Sequence, residues 1–282
     1  MDALVTTEWL ADELGAPDIR IVDATYFANF PGETPRDGAS EYEVAHIPGA
    51  VFFDIPAISD TANPLPTMLP SPAQFREQMR ALGISGASRI VLYDNAPHKT
   101  AARAWWMLRT FGARDVAILD GGFAKWRAEG RPVASVAETL APGDFIVALD
   151  TGGVRSIDQM KANLASHAEQ VLDARSASRF TGDEPDPRPG VASGHIPGSR
   201  HLGYSKLFNA DGTWKRGDAL RAEFDAAGVD LAKPFVTTCG SGITAAILLF
   251  GAHLLGAEGA LYDGSWSEWG ADATAPKATG AA

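Results

Sequence analysis

The chain of 282 residues contains the same pattern twice, and this duplication constrains its fold more than any other feature. Ile21-Val-Asp-Ala24 precedes Glu41-Tyr-Glu-Val-Ala-His46-Ile-Pro-Gly-Ala50, and Val171-Leu-Asp-Ala-Arg175 precedes Gly194-His195-Ile-Pro-Gly-Ser199. Ile118-Leu-Asp120-Gly-Gly-Phe-Ala-Lys-Trp126 matches Leu261-Tyr-Asp263-Gly-Ser-Trp-Ser-Glu-Trp269. The two histidines lie 149 positions apart and the two aspartates 143 apart, so the blocks keep their order and nearly their offset. Two copies of one domain are therefore expected, over residues 1–140 and 154–272. The breakers Pro142-Gly143 and Thr151-Gly152-Gly153 place a linker within 138–153. The small-residue tail 273–282 is expected to be flexible.

Each half alternates short β-branched runs with helical stretches. Ile19-Arg-Ile-Val22, Arg89-Ile-Val-Leu-Tyr93 and Val116-Ala-Ile-Leu119 suit buried strands. Residues 72–82 suit a helix, with Ser71 as N-cap, Pro72 in the first turn and Gly83 past the end. The alternation predicts an α/β fold, a parallel sheet with helices on both faces in each half.

The chain holds one cysteine, Cys239, which excludes an internal disulfide and a thiolate-rich zinc site. It lies in Pro234-Phe-Val-Thr-Thr-Cys239-Gly-Ser-Gly-Ile-Thr-Ala-Ala-Ile-Leu-Leu-Phe250. Phe235 to Thr238 is expected as a strand and Thr244 to Leu255 as a helix, so the thiol would end a strand where ligands bind in open α/β sheets. Gly240 and Gly242 allow successive backbone N–H groups to form an anion nest, and the helix N-terminus adds partial positive charge. Both favour an anionic sulfur over a thiol. A packed core cysteine is the competing explanation, but a core strand needs no glycine on both sides of Ser241. The first half places Tyr93-Asp94-Asn95 at the corresponding strand end, without a thiol.

These motifs, with Trp105-Trp-Met-Leu-Arg-Thr-Phe-Gly112, resemble the rhodanese superfamily in its tandem form over nearly the whole chain. The loop Cys239-Gly-Ser-Gly-Ile-Thr244 is similar to that of the mercaptopyruvate-type sulfurtransferases, whereas thiosulfate-type loops carry basic residues after the cysteine. The resemblance implies a persulfide on Cys239, a small-molecule sulfur donor that releases pyruvate, and a thiol acceptor such as thioredoxin, or cyanide. It implies that Arg179 and Arg188 bind the donor together with Gly240, Gly242, Ile243 and Thr244. It also implies a proton relay of Ser241 with His46 and Asp37 from the first half. Without it, Arg179 and Arg188 equally suit solvated ion pairs with Asp183, Glu184 and Asp186, and His46 equally suits a loop anchor like its counterpart His195.

A net charge of -11 with no basic stretch disfavours nucleic acid. No apolar run reaches the length of a membrane span, and the N-terminus lacks a basic segment followed by an apolar one, so a cytoplasmic location is expected. Neither a metal nor an organic cofactor is expected. A cysteine phosphatase is disfavoured, because position 245 is Ala and no Lys or Arg occurs between Cys239 and Leu255. A thiosulfate-specific enzyme and a non-enzymatic persulfide carrier are the alternatives.

Overall fold

The computed structural model describes residues 1–29, 34–136 and 140–281. The chain forms two compact units. The first comprises Met1–Thr61, Leu69–Asp150 and Ala210–Trp214, and the second Ala62–Met68, Thr151–Asn209 and Lys215–Ala282.

In the first unit, strands β1 (Leu4–Val5), β2 (Ile19–Asp23), β3 (Ala50–Phe52), β4 (Arg89–Tyr93) and β5 (Val116–Leu119) alternate with helices α1 (Thr7–Asp12), α2 (Gly38–Val44), α3 (Ile55–Ile58), α4 (Pro72–Ala81), α5 (Ala101–Thr110) and α6 (Gly122–Ala128). In the second, strands β6 (Val154–Arg155), β7 (Gln170–Asp173), β8 (Arg200–His201), β9 (Phe235–Thr238) and β10 (Ala260–Tyr262) alternate with α7 (Ile157–Ser166), α8 (Ala177–Thr181), α9 (Gly217–Ala226), α10 (Ala245–Leu254) and α11 (Ser265–Trp269). The sheets have the same order, β1-β5-β4-β2-β3 and β6-β10-β9-β7-β8, and every pairing is parallel. Both are covered by helices, as expected for a parallel sheet of buried strands.

The local signals act as their chemistry requires. Ser71 Oγ accepts from the Gln74 N–H at 3.3 Å, and Gly83 takes the left-handed conformation that ends α4. β9 is buried at every residue, and α10 is buried from Ala245 to Ala252 because its sequence offers no polar face. The strand order reverses direction between β7 and β9, whose carboxyl ends carry Asp173 and then Cys239.

Three expectations are refined. Of the linker expected at 138–153, residues 138 and 139 lie outside the described residues. From 140 to 150 the chain still belongs to the first unit, with Phe145 buried and the Ala148 N–H on the Phe111 carbonyl at 3.0 Å. The junction between Asp150 and Thr151 falls between the domain limits expected at 140 and 154, and each half lends a short segment to the other unit. The tail expected to be flexible is packed as far as it is described: Ala275 is buried and Ala278 forms an antiparallel bridge with His195. Residue 282 lies outside the described residues. This segment is itself part of the repeat. Trp126 Nε1 donates to the Pro132 carbonyl and Trp269 Nε1 to the Pro276 carbonyl, while Ala134 bridges His46 as Ala278 bridges His195.

The copies differ at the end of the central strand. Asp173 is buried and paired with Arg175, whose Nη2 reaches it at 2.6 Å. The counterpart of Arg175 is Thr25, so Asp23 is buried beside neutral donors, with Thr25 Oγ1 at 2.5 Å and the Thr25 N–H at 2.9 Å. Burial pushes the Asp23 carboxyl up to about 6, against the hydrogen bonds from Thr25 and Tyr93. A carboxyl that holds its proton more tightly when folded stabilises the unit at low pH and loses that contribution as pH rises through its folded value. Asp23→Asn should therefore leave stability nearly unchanged near pH 4 and raise it by about 2 kcal/mol above pH 7. Thermal melts across that range check it, and a stabilisation independent of pH would contradict the assignment.

Candidate active site

Cys239 follows β9 directly and is 2% exposed. Its backbone is held from the far side by the start of α11. The Cys239 N–H donates to Ser265 Oγ at 3.2 Å, and the Trp266 N–H donates to the Cys239 carbonyl at 2.9 Å. The Gly240 carbonyl accepts from the Ser267 N–H at 2.9 Å, Ser267 Oγ at 2.6 Å and Arg188 Nη1 at 2.7 Å. These bonds fix the Cys239–Gly240 peptide and use up its carbonyls. Ser265 does this from a left-handed backbone, φ 49°, that a side chain rarely adopts. The residue is 0% exposed, so the strain is held by its surroundings, as at many functional sites.

The rest of the loop is the opposite: its donors are idle. Among the described residues the backbone N–H groups of Gly240, Ser241, Ile243 and Thr244 make no hydrogen bond. Gly242 sits between them at φ +79°, which only glycine adopts freely, and α10 begins at Ala245. Unpaired N–H groups at a helix N-terminus form an anion cradle. Burial alone would suit a packing thiol, but a packing thiol gives no reason to leave these donors unpaired. Thr67, from the segment that the first half lends to this unit, donates its hydroxyl to the Ser241 carbonyl at 2.7 Å.

The first unit shows the same site filled. The Phe123 N–H donates to the Asp94 carbonyl at 3.0 Å, as Trp266 does to Cys239, so Asp94 is the counterpart of the cysteine. Its own carboxylate accepts from the N–H of Ala96 at 3.1 Å and of Ala101, the first residue of α5, at 2.9 Å. An anion built into the chain therefore occupies that cradle. Burial raises the Asp94 carboxyl, with the Lys99 charge and these N–H groups acting against it.

Arg179, on α8, and Arg188, on the following loop, both come to the cysteine loop. A Cβ at Gly240 would lie 3.5 Å from Arg179 Nη2 and 3.7 Å from Arg188 Nη2. They share one carboxylate. Asp186 accepts from Arg179 Nη2 at 2.7 Å, and from Arg188 Nε and Nη2 at 2.8 Å each. Of the three acids that could have paired with these arginines in solvent, Asp183 instead takes Thr181 Oγ1 and Glu184 takes Ser178 Oγ. The Asp186 side chain is 2% exposed, with Arg179 and Arg188 at 15% and 26%, so the carboxylate is enclosed by the two arginines rather than solvated. Burial pushes its carboxyl up, but the hydrogen bonds from Arg188 and Arg179 outweigh this and hold it down at about 2.

His46 and Asp37, expected as relay partners of Ser241, have other partners within the first unit. His46 is 0% exposed, stacked on Tyr42 with ring centres 4.1 Å apart, and its Nδ1 lies 2.6 Å from the Tyr42 carbonyl. His195 repeats this arrangement, stacked on Phe180 at 3.9 Å with Nδ1 on the Phe180 carbonyl at 2.8 Å. Asp37 caps α2, accepting from the Ala39 N–H and from Ser40 Oγ. His46 thus matches the loop-anchor alternative, and among the described residues no hydrogen bond joins it to Asp37.

A model of the rhodanese-like domain matches residues 6–129 and again 156–272. The chain belongs to the rhodanese family. The 3-mercaptopyruvate sulfurtransferase of Escherichia coli K12 is 43% identical over 275 residues, 96% of this chain and 96% of that protein. The thiosulfate sulfurtransferase of Cricetulus griseus is 41% identical over 275 residues, 95% of this chain and 91% of its own. The crystal structure of SseA from Escherichia coli, described as a 3-mercaptopyruvate sulfotransferase, superposes with a TM-score of 0.85 at 39% identity, covering 94% of this chain and 99% of that one. Rhodanese relatives with either donor are thus about equally similar overall, and the choice of donor has to be argued from the loop. No helix among the described residues is long and apolar enough to cross a membrane.

Sequence reasoning missed Ser265, Ser267, Thr67 and the role of Asp186. A signal existed for Ser265, because the repeat has Gly122 at the equivalent place, and a serine in a glycine conformation asks for a reason. Ser265→Ala removes the acceptor of the buried Cys239 N–H and should cost about 1–3 kcal/mol. It should also slow alkylation of Cys239 by iodoacetamide. Unchanged melting and alkylation would show that this clamp is dispensable.

Proposed function

We propose that this chain is a sulfurtransferase that takes sulfur from 3-mercaptopyruvate as a persulfide on Cys239 and passes it to a thiol acceptor such as thioredoxin, or to cyanide. The observation that supports it most is the set of unpaired N–H groups of Gly240, Ser241, Ile243 and Thr244 after Cys239, whose counterpart in the first unit holds a carboxylate. An anionic sulfur, first the thiolate and then the terminal sulfur of the persulfide, suits the same donors.

The Cys239 thiolate attacks the donor sulfur, and the carbon–sulfur bond breaks with its electron pair passing to the pyruvate enolate. Protonation of the enolate carbon from solvent gives pyruvate. The acceptor then attacks the outer sulfur, and the Cys239 thiolate leaves. Arg179 and Arg188 bind the carboxylate and stabilise charge on the enolate oxygen. The positions of His46 and Asp37 give no support to a relay through them, and the proposal does not use one.

The choice of mercaptopyruvate rests on Gly240. A basic side chain there would start 3.5–3.7 Å from two guanidinium groups, so its charge would be placed beside two charges of the same sign. Turnover also needs Cys239 reduced, which a cytoplasmic compartment supplies.

Incubation with mercaptopyruvate should add the mass of one sulfur atom to the protein and none to Cys239→Ser. With cyanide as common acceptor, kcat/KM should favour mercaptopyruvate over thiosulfate by about tenfold or more. A persulfide with the donor preference reversed would leave the role of Cys239 and overturn the argument from Gly240. No mass gain would overturn the whole proposal.

A further inference from the structure

Asp186 is not one of the groups expected to meet the donor, yet it is the most constrained side chain around it. It accepts two hydrogen bonds on each oxygen: Oδ1 takes the Arg188 N–H at 3.1 Å and Nε at 2.8 Å, and Oδ2 takes Arg179 Nη2 at 2.7 Å and Arg188 Nη2 at 2.8 Å. Arg188 is nearly spent by this arrangement. Asp186 takes two of its five side-chain N–H groups, and the Gly240 carbonyl and Ser267 Oγ take two more through Nη1. A residue that only bound donor would keep more of its fork open. The arginines and the aspartate are therefore one unit, and its net charge matters more than the count of arginines.

We infer that Asp186 is a specificity residue that reduces the charge of the donor cradle from two positive to one, matching a donor with a single carboxylate and disfavouring a dianion. The inference rests on the proposed reaction at Cys239. Two guanidinium groups beside Gly240 would otherwise suit thiosulfate, whose two negative charges need no carbon skeleton to be recognised. The buried carboxylate removes that advantage by cancelling one of them, an element of discrimination built against the wrong ligand. The other acids of the segment do not share the task, since Asp183 and Glu184 are exposed, where solvent screens their charge, and bond Thr181 and Ser178 rather than the arginines. Asp186 also keeps the guanidinium groups at a fixed separation, so the same side chain sets both geometry and charge.

The test compares wild type, Asp186→Asn and Asp186→Glu with mercaptopyruvate and thiosulfate at low salt, cyanide being the acceptor. In Asp186→Asn the ratio of kcat/KM for thiosulfate to that for mercaptopyruvate should rise by about fivefold or more, and the rise should shrink as salt is added. Asp186→Glu keeps the charge and should keep the wild-type ratio even where both rates fall. A ratio unchanged in Asp186→Asn, or shifted equally in both variants, would reduce Asp186 to a scaffold and overturn the inference. Should Asp186→Asn fail to fold by circular dichroism, inhibition of the wild type decides. Pyruvate should then bind more tightly than sulfate, and the reverse order would overturn the inference. A wild type that turned over neither donor would instead remove the proposed reaction itself.

Discussion

The site depends on a division of labour within one short loop: the carbonyls of Cys239, Gly240 and Ser241 are bonded, and the N–H groups of Gly240, Ser241, Ile243 and Thr244 are not. Ser265, Trp266 and Ser267 tie down the Cys239 and Gly240 peptide groups, and Arg188 adds a charge-assisted bond to the Gly240 carbonyl. With the acceptors satisfied from one side, the donors of Gly240, Ser241, Ile243 and Thr244 remain without a partner beside a buried sulfur. Unpaired donors next to a buried group are costly unless something negative is to come. The loop is thus held in a conformation that favours an anion at Cys239, and the arginine pair and its carboxylate are attached to the same Gly240 peptide.

The duplication supplies an internal control. At two places where the second unit accepts strain or an open polar group, the first unit has the quieter solution. Asp94 fills its own cradle where Cys239 leaves one open. Gly122 takes the left-handed backbone that Ser265 adopts at a cost. A third difference runs the other way: Arg175 bonds Asp173 and also the Gly194 carbonyl at 2.8 Å, whereas Asp23 has only Thr25 and Tyr93 against its burial. Arg175 lies 4.5 Å over the ring of Trp266, the residue whose backbone N–H donates to the Cys239 carbonyl, so this buried ion pair belongs to the support of the active loop. One copy keeps the fold with ordinary residues, and the other carries the chemistry.

The fold class was readable because periodicity and breakers agreed in both halves, and each copy checked the other. The loop chemistry was readable for a local reason: Cys239, Gly240 and Gly242 are neighbours in sequence. What was not readable depended on distance along the chain. Nothing near Thr67 announces that it will donate to the Ser241 carbonyl, and nothing near Asp186 shows that both arginines converge on it rather than on Asp183 or Glu184. The packing of the tail was not readable because a run of small residues suggests disorder. Its Pro276 and Ala278 nevertheless repeat Pro132 and Ala134, which hold Trp126 and His46 in the first unit. His46, a residue type suited to catalysis, is buried against Tyr42 in the way that His195 is buried against Phe180.

The most direct test is a crystal structure of the protein after brief exposure to mercaptopyruvate without an acceptor. A second sulfur should extend from Cys239 with the backbone N–H groups of Gly240 to Thr244 turned to it at hydrogen-bonding distance. A persulfide directed away from those groups, or a loop that had rearranged to pair them with protein acceptors, would contradict the account.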